Sequence, residues 1–267
     1  MPITKPLSEA ANEAMPSEKL GLNYPVVPSY GQNKRPLIEM RGVCYDVKEV
    51  GGTRRLLDNI NINIYPGEYL MVFGGSGSGK TVVLELLMGI NKPTQGQVLV
   101  AAREISKMSF ADLAHYRLAT LGMIYQEANL IESINAWQNV AMPANISGIE
   151  ESKRKQLALR IMETLNLQKI AEKMPNELSV GEQKRVAVAR SLMNSPLIMV
   201  ADEPTADLDT AEAEEVMENF RFVNEQANMT LIMATHDPKY VHYPNRVIYI
   251  TDNKISHVVE NRPLRQL

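Results

Sequence analysis

The chain has 267 residues, 45% of them hydrophobic and 22% charged, enough to bury roughly three quarters of its unfolded surface on folding. Its longest apolar runs, such as Leu197-Ile198-Met199-Val200-Ala201, fall far short of a membrane span, so any membrane role is expected to come through a partner. A formal net charge of -3 leaves no basic footprint for nucleic acid, and the single cysteine, Cys44, with no signal-peptide layout at the N-terminus, points to a reducing, cytosolic location.

Residues 1–36 hold Pro2, Pro6, Pro16, Pro25, Pro28 and Pro36 with no sustained apolar period, which predicts a flexible or surface-wrapped extension. Folded structure is expected from Leu37 onward, in a single domain over 37–267. Ile60, Ile62 and Ile64 alternate with asparagines as in a half-buried strand, so antiparallel strands should open the domain. Tyr69-Leu70-Met71-Val72-Phe73 is a continuous apolar strand that enters a glycine-rich loop, and Thr81 to Met88 has helical spacing with Gly89 as its stop.

From about residue 127 to 178 the pattern turns helical, with helices predicted over 136–144 and 151–166, where Leu157, Ile161 and Leu165 share a face. Beyond it come a helix over 180–194, a strand over 197–201, a helix over 210–227 and strands over 229–234, 246–251 and 254–258. Alternating strands and helices predict an α/β fold with a mainly parallel sheet covered on both faces, an N-terminal antiparallel β subdomain and an inserted helical subdomain.

Gly74-Gly75-Ser76-Gly77-Ser78-Gly79-Lys80-Thr81 fits the phosphate-binding loop of P-loop NTPases. Several backbone N–H groups must converge on phosphate oxygens at close range, which calls for residues without side chains and with free dihedrals. The helix that follows, through Val82, adds its positive end. Lys80 is suited to the β- and γ-phosphates of a nucleotide, and the Thr81 hydroxyl to Mg²⁺. Taking glycine at about 7% of residues, the bare pattern arises by chance in on the order of one chain in a hundred, and here it also follows an apolar strand and opens a helix.

The strand at 197–201 runs into Asp202-Glu203-Pro204, a carboxylate pair at the C-terminal edge of a buried strand, where open α/β sheets place ligands. Such a pair is costly without a cation or polar partner. In a P-loop enzyme Asp202 would hold Mg²⁺ through water, and Glu203 would orient and deprotonate the attacking water.

The order phosphate loop, Gln126, Leu178-Ser179-Val180-Gly181-Glu182-Gln183, Asp202-Glu203, Asp209 and His236 resembles an ATP-binding cassette (ABC) ATPase domain over about residues 38–258. By that resemblance Gln126 senses Mg²⁺ and the attacking water, Thr205 to Asp209 lies at a dimer seam, and His236 contacts the γ-phosphate. The hexapeptide at 178–183 resembles the family signature, with Ser179, Gly181 and Glu182 at the start of a helix that meets the γ-phosphate of ATP bound to a second copy. The resemblance implies a head-to-tail homodimer that closes on two ATP molecules. The chain departs from the family pattern at Val180, where glycine is usual, and at Val47, where an adenine-stacking aromatic is expected. Tyr45, two residues earlier on the same strand face, is the candidate substitute.

The run Tyr125 to Ile131, followed by Trp137 to Pro143, is similar to the branch of the family that serves lipoprotein release, macrolide export and cell division. It implies an integral membrane permease as partner, and a cytoplasmic ATPase held at the inner face of the membrane. The alternative, a soluble ABC-type ATPase in DNA repair or on ribosomes, would be favoured by long coiled-coil insertions or a second cassette, and neither is visible. A regulatory cassette that binds ATP without hydrolysis is opposed by the retention of Lys80, Asp202, Glu203 and His236.

Overall fold

The computed structural model describes residues 35–261, so the expected extension lies, apart from Arg35 and Pro36, outside the described residues. In chain order the elements are β1 (Ile38–Glu49), β2 (Gly52–Ile64), β3 (Tyr69–Phe73), α1 (Lys80–Leu87), β4 (Gln95–Val100), β5 (Arg103–Glu104), α2 (Phe110–Thr120), β6 (Leu121–Ile124), α3 (Ala136–Ile146), α4 (Glu151–Thr164), α5 (Val180–Leu192), β7 (Ile198–Asp202), α6 (Thr210–Ala227), β8 (Thr230–Thr235), β9 (Arg246–Thr251) and β10 (Lys254–Glu260). They fall into two compact units, one over Leu118–Met229 and one made of the residues on either side, up to Arg117 and from Thr230. The architecture is α/β, with an antiparallel sheet, parallel strands and helices.

In the unit that flanks Leu118–Met229, the antiparallel sheet has the order β2-β1-β4-β5. Ile62 and Ile64 face Met40 and Ile38 across β1–β2, and all four are buried, as their alternation with asparagines requires. The second sheet of this unit places β3 parallel between β8 and β9, with β10 antiparallel on the far side of β9. β3 is apolar at every position because strands pair with it on both sides, and Tyr69 to Val72 are buried.

The entry to β3 is fastened by polar groups. Glu68, fully buried, accepts from Arg246 Nε at 2.7 Å and from the Tyr65 amide at 2.8 Å, and Arg246 also donates to the Asn63 carbonyl. Burial pushes the Glu68 carboxyl above its ordinary value, and the Arg246 charge opposes that rise. Nearby, the Tyr69 amide donates to Asn245 Oδ1 at 2.8 Å and the Gly67 amide to Thr230 Oγ1 at 3.0 Å.

In the unit over Leu118–Met229, β6 and β7 pair in parallel, Leu121 with Ile198 through Ile124 with Ala201. Gly122 allows α5 to approach β6: a Cβ there would stand 2.4 Å from the Ser191 carbonyl oxygen. Between β6 and α5 the regular elements are α3, α4 and two short 3₁₀ turns, Gln168–Ile170 and Pro175–Glu177. α3 opens with a capping box between Asn135 and Gln138. It runs past the predicted end at Ala144, because the turn after Pro143 is closed by the Ser147 amide and hydroxyl, both donating to the Pro143 carbonyl at 3.1 Å.

Four elements, β4, β5, α2 and β6, have no counterpart in the sequence expectations. β6 is four residues long and follows α2 directly, so its apolar residues cannot be told from a helix by periodicity. β4 carries Gly96 and two glutamines and is defined by its pairing, Met40 with Val98 and Ile38 with Val100.

Candidate functional site

The phosphate loop leaves the C-terminal end of β3 and turns into α1. Two of its glycines have no room for a side chain. A Cβ on Gly74 would stand 2.6 Å from both the Ile250 carbonyl oxygen and Ser78 Oγ, and one on Gly79 2.8 Å from the Leu56 carbonyl oxygen. Gly77 and Gly79 also hold left-handed φ values of 75° and 99°, conformations open to glycine at little cost. Gly75, Ser76 and Gly77 are exposed, so the loop's outer backbone is accessible.

α1 starts at Lys80 with no side-chain cap, so no side chain of its own N-cap covers the positive end of the helix. Lys80 is only 6% exposed, and its ammonium donates to the carbonyls of Gly74 at 2.9 Å and Gly75 at 3.0 Å, folded back across the loop. Thr81 is exposed in the first turn and Val82 half-buried beside it. Ser78 Oγ is buried and makes no hydrogen bond. A helix start without a side-chain cap, a lysine folded back onto loop carbonyls and an unused hydroxyl fit a phosphate group.

His236 belongs with this loop. In the parallel β3–β8 ladder Phe73 is level with Thr235, so the next residues, Gly74 and His236, leave the same sheet edge side by side. His236 is exposed there, and Thr235 Oγ1 accepts from the Asp237 amide at 3.1 Å to fix the turn. Tyr45 and Val47 lie half-buried on β1, opposite Leu57 and Arg54. The ladder slips on both sides of Tyr45, with the extra residues on β2, so alternation along β1 is kept from Tyr45 to Val47. Leu57, the partner of Tyr45, is also the side chain lying against Gly79 of the loop.

A second group assembles in the other unit. Ile124 is level with Ala201 in the β6–β7 ladder, so Gln126 leaves its strand next to Asp202 and Glu203. Asp202 ends β7 and, like Glu203, is half-buried. Glu203 has a φ of 44°, a conformation costing a non-glycine residue on the order of 1–3 kcal/mol and concentrated at functional sites. The Thr81 hydroxyl and the Asp202 carboxylate are hard oxygen donors of the class Mg²⁺ takes.

The hexapeptide at 178–183 forms the head of α5. Ser179 is the N-cap: its Oγ accepts from the Glu182 amide at 3.1 Å, while Glu182 Oε2 accepts from the Ser179 amide at 2.9 Å. Val180 is half-exposed and Gly181 buried. The hexapeptide is joined to the loop after β6, since buried Lys184 donates to the Gln126 carbonyl and Arg190 to the carbonyls of Ala128 at 2.6 Å and Asn129 at 2.7 Å. Burial pushes the Lys184 ammonium below its ordinary value against the attraction of Asp207 and Glu127. Lys184 and Arg190 are absent from the sequence expectations, because on a helix surface both read as solvated charges and only the loop they grip distinguishes them.

A family model described as ABC transporter matches residues 57–206. An uncharacterized ABC transporter ATP-binding protein of Mycobacterium tuberculosis is 32% identical over 223 residues, which are 84% of this chain and 90% of that one. The macrolide export ATP-binding/permease protein of Wolinella succinogenes is 36% identical over 224 residues, 84% of this chain and 35% of the relative, so the chain spans about a third of that protein. The solved dimeric structure of an ATP-binding cassette in a post-hydrolysis state, bound to ADP and Pi, matches with a TM-score of 0.79 at 31% identity, covering 85% of this chain and 100% of that one.

Proposed function

The chain belongs to the ABC transporter ATPase family, and on that premise we propose that it hydrolyses ATP to ADP and phosphate as a subunit of a membrane ABC complex. Two copies close head to tail on ATP, and their closure and release drive transport or mechanical transmission through a partner permease that holds them at the inner face of the membrane. The observation that carries this reading is the phosphate loop, with its sterically required glycines, open helix start and folded-back Lys80. The dimeric cassette among its structural neighbours supports the closure, and the relatives named as ATP-binding/permease proteins support the permease.

In this reading the loop amides from Gly74 to Val82 and the Lys80 ammonium hold the β- and γ-phosphates, with Tyr45 in preference to Val47 against the adenine, since Tyr45 pairs with the residue that lies on the loop. Thr81, Gln126 and Asp202 would hold Mg²⁺, which when bound would neutralise charge developing on the phosphates. Glu203 takes a proton from the attacking water as its oxygen bonds to the γ-phosphorus and the bond to the β-phosphate oxygen breaks. His236 steadies the γ-phosphate. Ser179, Gly181 and Glu182 serve the nucleotide of the second copy, and residues 127–178 form the lobe that grips the permease.

The test is Glu203→Gln, which keeps shape and polarity but cannot accept the proton. ATP binding should persist while turnover falls at least about 100-fold, measured as phosphate release. Near-normal hydrolysis would remove Glu203 from this role.

A further inference from the structure

The hydroxyl proton of Ser179 is already committed in the single chain. Its hydroxyl accepts from the Glu182 amide, and its one proton is donated to Glu212 Oε1 at 3.0 Å. Glu212 lies in the first turn of α6, where its amide donates to the N-cap carboxylate of Asp209 at 2.9 Å. Its side chain lies against the first turn of α5: a Cβ on Gly181 would stand 2.6 Å from Glu212 Cδ and 2.7 Å from Oε1. The absence of a side chain at Gly181 is what admits the carboxylate.

A carboxylate at that place satisfies the positive end of α5 as an anionic ligand would. We propose that Glu212 is a positioning residue for the shared site, an internal anion that occupies the head of α5 in the single chain and must give way to a phosphate of the nucleotide held by a second copy. The proposal rests on the reading of Ser179 as a donor to that phosphate. Closure then exchanges one acceptor for another at the same hydroxyl, and Glu212 raises the ATP concentration at which two copies close. Charge repulsion and competition for the proton act in the same direction, so Glu212→Gln removes the first and weakens the second, and Glu212→Ala removes both.

The experiment uses the full chain with Glu203→Gln, so that closed dimers accumulate, and compares it with the same chain carrying Glu212→Gln. Dimer formation is followed by light scattering across an ATP titration with Mg²⁺, and ATP binding to single chains by a fluorescent nucleotide at protein concentrations too low for dimers. The half-saturating ATP for dimerisation should fall about two- to fivefold, the size expected for removing a competing charge at a helix start, with single-chain affinity unchanged. A residue that merely supported α5 would shift closure the opposite way on removal. An unchanged or raised ATP requirement overturns the proposal. Should Glu212→Gln not fold, Glu212→Ala makes the same comparison with the same two outcomes. If the Glu203→Gln parent itself stays monomeric at saturating ATP, the shared-site reading fails and Glu212 loses its role with it. If the parent dimerises and the Glu212 variant needs the same ATP, only the role of Glu212 fails.

Discussion

Val180 and Gly181 are neighbours under different constraints. Val180 is 50% exposed and has no left-handed φ, so neither space nor backbone demands the glycine usual in the family. Gly181 has an ordinary φ as well, yet it is the position where a side chain meets an obstacle, the Glu212 carboxyl. Val180→Gly should therefore change single-chain stability by less than about 1 kcal/mol and leave single-chain ATP affinity unaltered while shifting ATP-driven dimerisation. Urea denaturation, nucleotide binding and light scattering check the three parts, and a large loss of single-chain affinity would contradict the placement of Val180 at the face of the second copy.

Elements impose costs that single positions do not reveal. Gly122 on β6 lies under the backbone of α5, and the Ser191 carbonyl oxygen that its Cβ would meet cannot swing aside as a carboxylate can. Gly122→Ala should cost about 1–3 kcal/mol in urea denaturation, whereas Gly181→Ala, opposed only by the end of a flexible side chain, should cost less. At the entry to β3, Arg246→Met would leave the Glu68 charge buried and unpaired, a loss of about 3–5 kcal/mol at neutral pH. Burial already raises the folded-state value of Glu68, and removing Arg246 raises it further. A carboxyl raised on folding contributes stability that is present below its unfolded value and lost as the pH rises through its folded value. The gap between variant and parent should accordingly narrow as the pH falls into the carboxylate range, as thermal unfolding across pH will show. A gap independent of pH would assign the loss to packing.

At this scale too, legibility in the sequence followed length and apolar pattern. The strand at Tyr69 to Phe73, the helix over 210–227 and the strand over 246–251 agree with their predicted bounds, the first uniformly apolar, the second long and amphipathic, the third a run of β-branched and aromatic residues. β6 escaped because it is four residues long and follows a helix directly, and β4 because Gly96 and two glutamines break its apolar pattern.

For the whole molecule the central expectation is association. The Glu203→Gln chain should remain a single copy without nucleotide and become a dimer with ATP and Mg²⁺ in size-exclusion light scattering. A single copy at saturating ATP would remove the sandwich mechanism. The helical segment between β6 and α5 carries the proposed permease grip, and purification from detergent-solubilised membranes should bring an integral membrane protein with the chain.

The sequence by itself determined the motifs on which the proposed chemistry rests: the glycine loop with Lys80 and Thr81, the Asp202-Glu203 pair, the hexapeptide at 178–183, and their order along the chain. These were legible because each depends on residue types at short spacing, where side-chain volume, backbone freedom and charge are local properties. Only the tertiary structure placed His236 level with Gly74 and Gln126 level with Glu203, buried Lys184 on the Gln126 carbonyl, and set Glu212 against Gly181 with the Ser179 proton in its hold. Strand register and the close approach of helices join residues that are distant in the chain, and no local pattern encodes which of many exposed-looking charges will meet a backbone carbonyl or a helix start.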